Sequence, residues 1–217
     1  MSSSPTEQPV PRTESDLQSL PTERLNEASE GLDTKSAIEI ARIINHEDAK
    51  VAAAVKKALP EIALVIDTVA RSLRDGGRLI YVGAGSSGRI SALDASECPP
   101  TFSTAPQQVQ YIMAGGPKAL ASASDVNEDS PEIGQRDIAR RRPTRKDIVI
   151  GVSASGRTPY VVGATEYARA CGAKTAAISW SASPTRPGGR AATIGRTGIG
   201  FECERGCTRG CRCGYGY

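Results

Sequence analysis

The chain has 217 residues, with 27 Lys and Arg against 24 Asp and Glu, one His, six Cys and a net charge of +3 at neutral pH. That length suits one domain with a sizeable core. The surplus charge sits after Ser179, where six Arg face two Glu, so the rest is near neutral and carries no global field for nucleic acid.

Residues 1–20 are rich in Ser, Pro, Thr, Glu and Gln and are expected to be disordered. They lack the apolar core of a secretory signal, and no later run approaches the ~20 apolar residues of a membrane span. A soluble cytoplasmic protein is expected. Only Cys98 and Cys171 lie in the body of the chain, which makes no disulfide framework. Thr34 or Ser36 caps a helix carrying Ile38, Ile40, Ile43 and Ile44; Asn45 ends it or caps the next, leaving His46 as a surface residue at a helix junction. A second helical region runs from Glu47 to about Asp75, with Pro60 at a break or in the first turn of a fresh helix. Ile62, Ile66, Val69 and Leu73 give it an apolar stripe, and Gly76-Gly77 stop it.

Leu79-Ile80-Tyr81-Val82 reads as a buried parallel strand. It turns through Gly83-Ala84-Gly85-Ser86-Ser87-Gly88 into a helix carrying Ile90, Leu93 and Ala95. The glycines allow a tight turn and a close backbone approach to a ligand. A helix N-terminus after a Gly/Ser turn offers free N–H groups at the positive end of the dipole, which is an anion site. The turn fits G-x-G-x-x-G, but a dinucleotide would need a carboxylate at the end of the next strand. That strand, Val109–Ala114, ends in Met113-Ala114-Gly115-Gly116. The paired hydroxyls of Ser86 and Ser87 suit a phosphate monoester better.

Helices are expected from Pro117 to Ser124 and from Pro131 to Arg141, then a strand Asp147–Val152. Next comes a second hydroxyl-rich turn, Ser153-Ala154-Ser155-Gly156-Arg157-Thr158. A helix Pro159–Cys171 and a strand Lys174–Ser179 complete the alternation. The pattern predicts an α/β fold, a doubly wound parallel sheet flanked by helices. Both turns follow carboxyl ends of strands, where such sheets bind ligands. The basic run Arg140-Arg141-Arg142-Pro143-Thr144-Arg145-Lys146 has no interleaved aromatics and reads as a solvated loop, so no nucleic-acid partner is expected.

With both turns in place, the chain resembles the sugar isomerase (SIS) domain family and, within it, the N-acetylmuramic acid 6-phosphate etherase group. The residues that carry the resemblance are Thr22-Glu-Arg-Leu-Asn, Gly77 to Arg89, Leu93-Asp-Ala-Ser-Glu-Cys-Pro-Pro-Thr, Ala114-Gly-Gly, Asn127-Glu-Asp-Ser and Ser153 to Val161. It implies N-terminal helices over 21–68 and an SIS sugar-phosphate domain over 69–179. It also implies cleavage of a D-lactyl ether on a sugar phosphate, no metal or organic cofactor, and a homodimer. By that match Glu97 is the proton donor and Glu128 the second catalytic acid/base. Gly85, Ser86, Ser87, Gly88, Ser153, Ser155, Gly156, Arg157 and Thr158 are the expected phosphate ligands.

The chemistry suits two carboxyl groups held in different environments. One removes the C2 proton of the open-chain sugar, acidified by the C1 aldehyde. The other protonates the departing lactate oxygen at C3. Glu97 precedes Cys-Pro-Pro, an apolar, rigid setting that would raise its pKa by desolvation. Without the match, Glu97 reads equally as a helix-end surface carboxylate and Glu128 as part of a solvated acidic loop.

After Ser179 the sequence shows no helical or strand period, and residues 180–217 are read as a non-homologous, disordered tail that leaves the sheet incomplete. Their richness in Arg, Gly, Ser, Pro and Cys is what a shifted reading frame in GC-rich DNA would give. Cys203, Cys207, Cys211 and Cys213 lack a C-x2-C pair and a His partner, so no metal site is expected there.

Overall fold

The computed structural model describes residues 25–122, 127–179 and 198–202. The two termini, with the expected N-terminal disorder and the C-terminal Cys cluster, lie outside these residues. Ser36 precedes helix α1, Ala37–Lys57, and the Glu39 carboxylate accepts from the Ser36 N–H at 2.8 Å. No break occurs at Asn45, so His46 is an exposed residue in mid-helix, a correction to the expected junction. The chain breaks instead at Ala58, and Pro60 lies in the first turn of α2, Leu59–Arg74, where its missing N–H costs nothing. Val69 and Leu73 of the expected stripe pack on the sheet, whereas Ile66 is 60% exposed and Val65 takes its place.

Strands β1 (Leu79–Gly83), β2 (Val109–Met113), β3 (Ile148–Val152) and β4 (Lys174–Ser179) are parallel, in the order β2-β1-β3-β4. Helices α3 (Gly85–Phe102), α4 (Pro131–Ala139) and α5 (Pro159–Ala170) make the crossovers. Alternation along the strands sorts the core in two. Ile80, Val82, Ile112 and Val149 meet Ile138 of α4 and Tyr160, Val161, Ala164 and Ala168 of α5. Leu79, Val109, Ile148 and Ile150 meet Ala95 of α3 and the packed side of α2. Two helices on each face make the sheet doubly wound, as the alternation predicts.

Two local expectations are corrected. The helix expected at Pro117–Ser124 is a 3-10 segment, Gly116–Leu120, entered through left-handed Gly115 at φ 80. The tail is not wholly without strand: Gly198–Glu202 forms β5, antiparallel to β4, with Ile178 opposite Ile199. β4 would otherwise present an unpaired edge, and a tail with no alternating pattern can still fill it through main-chain bonds.

The amino-terminal ends of the strands are tied by Asp147, which is 2% exposed. Its Oδ1 accepts from the Arg78 N–H and Nε at 2.8 and 3.1 Å, and its Oδ2 from Arg78 Nη2 at 2.8 Å and from the Thr144 N–H and hydroxyl at 2.8 and 3.1 Å. This knot lies at the opposite end of the sheet from the Gly/Ser turns.

Candidate functional site

β1 and β3 are neighbours, yet their chains leave in opposite directions, to β2 and to β4. That is the switch point at which open α/β sheets bind ligands. The register pairs Gly83 with Val152, so the two Gly/Ser turns begin side by side at the carboxyl edge.

In the first turn the helix starts earlier than expected, at Gly85, whose φ of 52 needs a glycine. Ser86 is exposed and Ser87 half-buried, both in the first turn of α3. The N–H groups of Gly85, Ser86 and Ser87 have no carbonyl one turn earlier inside the helix. Gly83 and Gly88 are also required by packing. A Cβ on Gly83 would lie 2.7 Å from the Gly88 Cα, and one on Gly88 would lie 2.9 Å from the Met113 Cβ. The face of α3 against the sheet is therefore built from small residues, Gly88, Ser91, Ala92 and Ala95. Of the three residues that mark the helical spacing, only Ala95 is buried; Ile90 and Leu93 are 64% and 61% exposed.

The second turn is closed on itself. The Ser153 and Thr158 hydroxyls lie 2.8 Å apart. The Gly156 N–H donates to Ser153 Oγ at 3.1 Å, and the Arg157 N–H to Ser155 Oγ at 3.2 Å. Gly156 has φ 69. Ser153 is buried, while Ser155, Gly156, Arg157 and Thr158 are half-buried.

The backbone of Glu128 is brought to the start of α5, just past this turn. Its carbonyl accepts from the Tyr160 N–H at 2.9 Å, one of the free donors at the start of α5. The contact is enforced by a close helix pair. A Cβ on Gly134 would lie 2.0 Å from the Tyr160 carbonyl oxygen, and one on Gly163 would lie 2.3 Å from that of Pro131. Only glycines let α4, which starts three residues after Glu128, lie on α5 this closely. Burial and the neighbouring Asp137 carboxylate push the Tyr160 hydroxyl up, so it stays protonated and donates to Asp137 Oδ2 at 3.1 Å.

Glu97 is not brought to the turns. It lies twelve residues beyond Gly85 on α3, about 18 Å along the axis at 1.5 Å per residue. It is exposed and shares the outer face of the helix with Ile90 and Leu93, so the apolar setting expected for it is not present within one chain. Pro99 and Pro100 follow inside the helix and supply no N–H to the carbonyls of Ala95 and Ser96. Burial, then the Asp94 carboxylate, pushes the adjacent Cys98 thiol up, which keeps it protonated and a poor nucleophile at neutral pH.

One contact was not legible as a role in the sequence. Arg89 donates from Nε to the Ala119 carbonyl at 3.1 Å and from Nη2 to that of Ser122 at 3.0 Å. It thereby ties the loop after β2 to the helix that opens at the first turn. Among the described residues no three His, Cys, Asp or Glu side chains group as metal ligands, and no helix is long and apolar enough to cross a membrane.

An N-acetylmuramic acid 6-phosphate etherase of Photobacterium profundum is 47% identical over 195 residues, 89% of this chain and 64% of that protein. A coverage of 89% carries the match beyond Ser179, where sequence reading placed its end. An etherase of the same name from Streptomyces coelicolor is 51% identical over 169 residues, 78% of this chain and 54% of that protein. The chain thus spans between about half and two thirds of the length of these curated relatives. Among solved structures, a phosphoheptose isomerase from Francisella tularensis is similar with TM-score 0.49 and 20% identity, over 64% of this chain and 74% of that one. Residues 61–169 match the family described as the glucokinase regulatory protein N-terminal SIS domain, and the chain belongs to that SIS-domain family.

Proposed function

We propose that the protein is a lyase that cleaves the D-lactyl ether of N-acetylmuramate 6-phosphate. The products are N-acetylglucosamine 6-phosphate and D-lactate, as in peptidoglycan amino-sugar recycling in the cytoplasm. The observation that carries this reading is the pairing of Gly83 with Val152, which sets two hydroxyl-rich turns side by side at the switch point. The likeness to proteins named as etherases supports the choice of substrate. In the open-chain sugar one carboxylate removes the C2 proton. The C3–O bond breaks as the other carboxyl protonates the lactate oxygen, and water adds to the resulting unsaturated aldehyde. Glu128 and Glu97 are the proposed acid/base pair, and no cofactor takes part.

A homodimer belongs to this reading. A phosphate at the N-terminus of α3 and Glu97 on the same helix are farther apart than one hexose phosphate reaches. A second copy covering Ile90 and Leu93 would both desolvate Glu97 and offer it to the first copy's turns.

The deciding assay is D-lactate release from N-acetylmuramate 6-phosphate by the purified chain. Release supports the lyase reading. Binding of N-acetylglucosamine 6-phosphate without release supports a non-catalytic sugar-phosphate binder, the second reading, which the exposure of Glu97 and the partial coverage of the relatives favour. The phosphate site has its own test. A hydrogen bond to a charged group contributes about 1.5–3 kcal/mol. Ser155→Ala should then weaken phosphosugar binding roughly 10- to 100-fold in calorimetry, with little change for a sugar lacking phosphate. Unchanged affinity in both Ser155→Ala and Ser87→Ala would place the phosphate elsewhere.

A further inference from the structure

Asn127 holds a left-handed backbone at φ 76, a conformation that asparagine tolerates and β-branched residues resist. The turn it makes is closed by the Ser130 N–H on the Asn127 carbonyl at 3.3 Å. Ser130 then caps α4, its Oγ accepting from the Ile133 N–H at 3.2 Å. Between these bonds the chain reverses, and the next carbonyl, that of Glu128, points to the Tyr160 N–H. Tyr160 is two residues past Thr158, whose hydroxyl closes the second turn on Ser153. The backbone of Glu128 is thus one hydrogen bond from the helix that begins at that turn. A residue that pulled position 127 back to negative φ would rotate the 127–128 peptide and break the contact.

We propose that Asn127 is a positioning residue, whose left-handed backbone sets Glu128 against the Ser153–Thr158 turn. The proposal rests on reading Glu128 as a reacting carboxyl, and it goes beyond that reading by assigning the orientation to the residue before it. Three variants separate backbone from side chain. Asn127→Gly and Asn127→Asp both accept positive φ, and Asn127→Val does not. Hydrogen exchange at the Tyr160 amide reports the contact directly, while the split between kcat and KM for D-lactate release reports its use. In Asn127→Val the Tyr160 amide should exchange about 10-fold faster and kcat should fall by about 10-fold or more. Its affinity for N-acetylglucosamine 6-phosphate should stay within about two-fold of the unaltered chain. Asn127→Gly should match the unaltered chain in all three measurements, and Asn127→Asp in Tyr160 exchange. Unchanged Tyr160 exchange in Asn127→Val overturns the proposal, as does an equal loss in Asn127→Gly, which would assign the effect to the side chain. If the unaltered chain releases no D-lactate, the lyase reading fails on its own. The positioning role is then decided by Tyr160 exchange, which needs no turnover.

Discussion

Asp147→Ala is expected to lower the unfolding free energy by about 3–5 kcal/mol, because it removes a buried carboxylate that takes five hydrogen bonds, leaves the half-buried Arg78 guanidinium without its partner and orphans the Thr144 N–H. In a domain of this size that corresponds to a fall in Tm of ~6–20 °C by calorimetry. The knot joins β1 to β3 at the end away from the Gly/Ser turns, so phosphosugar affinity per folded molecule should not change. The pH dependence separates charge from shape. Burial works to raise the Asp147 carboxyl, but the Arg78 guanidinium and the Thr144 donors outweigh it and hold the carboxyl below the usual aspartate range. A carboxyl depressed on folding contributes stability above its unfolded value of about 4, and the contribution is lost as pH falls through the lower folded value. The gap between the unaltered chain and Asp147→Asn should therefore be flat from about pH 5 to 8 and close below about pH 4. A gap that persists at low pH would mean that the carboxylate charge is not what the knot uses.

Glu97→Gln should reduce D-lactate release by about 10²–10⁴-fold, the range of a positioned general acid or base, while leaving phosphosugar binding within about two-fold. Glutamine keeps the size and polarity of the side chain but has no proton to give to the leaving oxygen. Because Glu97 is exposed, the substitution removes no intrachain packing, and loss of folding is not a competing explanation. Glu97 and Glu128 lie on different elements, which permits a complementation test. If each site takes Glu97 from one copy and Glu128 from the other, mixing inactive Glu97→Gln with inactive Glu128→Gln restores turnover in hybrid dimers. If both groups act within one chain, the mixture stays inactive. Retained release in Glu97→Gln alone would remove Glu97 from the mechanism.

The strands and turns were legible because their signals are local. Leu79-Ile80-Tyr81-Val82 and Ile148-Val149-Ile150 are short apolar runs between turn residues, and the hydroxyl-rich turns follow them directly. The neighbouring of β1 and β3 was not legible, since strand order is set by long-range pairing that leaves no mark in either strand. The buried face of α3 was not legible because it carries no large apolar side chain to mark it. The sheet accepts this helix only through Gly88, Ser91, Ala92 and Ala95, and Ile90 and Leu93 face outward. Asp147 escaped notice because a charge at the mouth of an apolar strand looks like an ordinary boundary. Only its five donors reveal it as structural.

α1 runs for 21 residues without a single buried one, with Ile38, Ile44, Val51 and Val55 open to water. Most helical stability in proteins comes from packing, and this helix buries no residue to supply it. It is therefore expected to open at a small fraction of the global free energy. Arg42, Lys50 and Lys56 lie along it, and trypsin will reach them while β1 to β4 remain intact. Any surface that covers α1 will silence those cuts. The digestion pattern of this helix is therefore a direct gauge of assembly, readable on a gel without substrate.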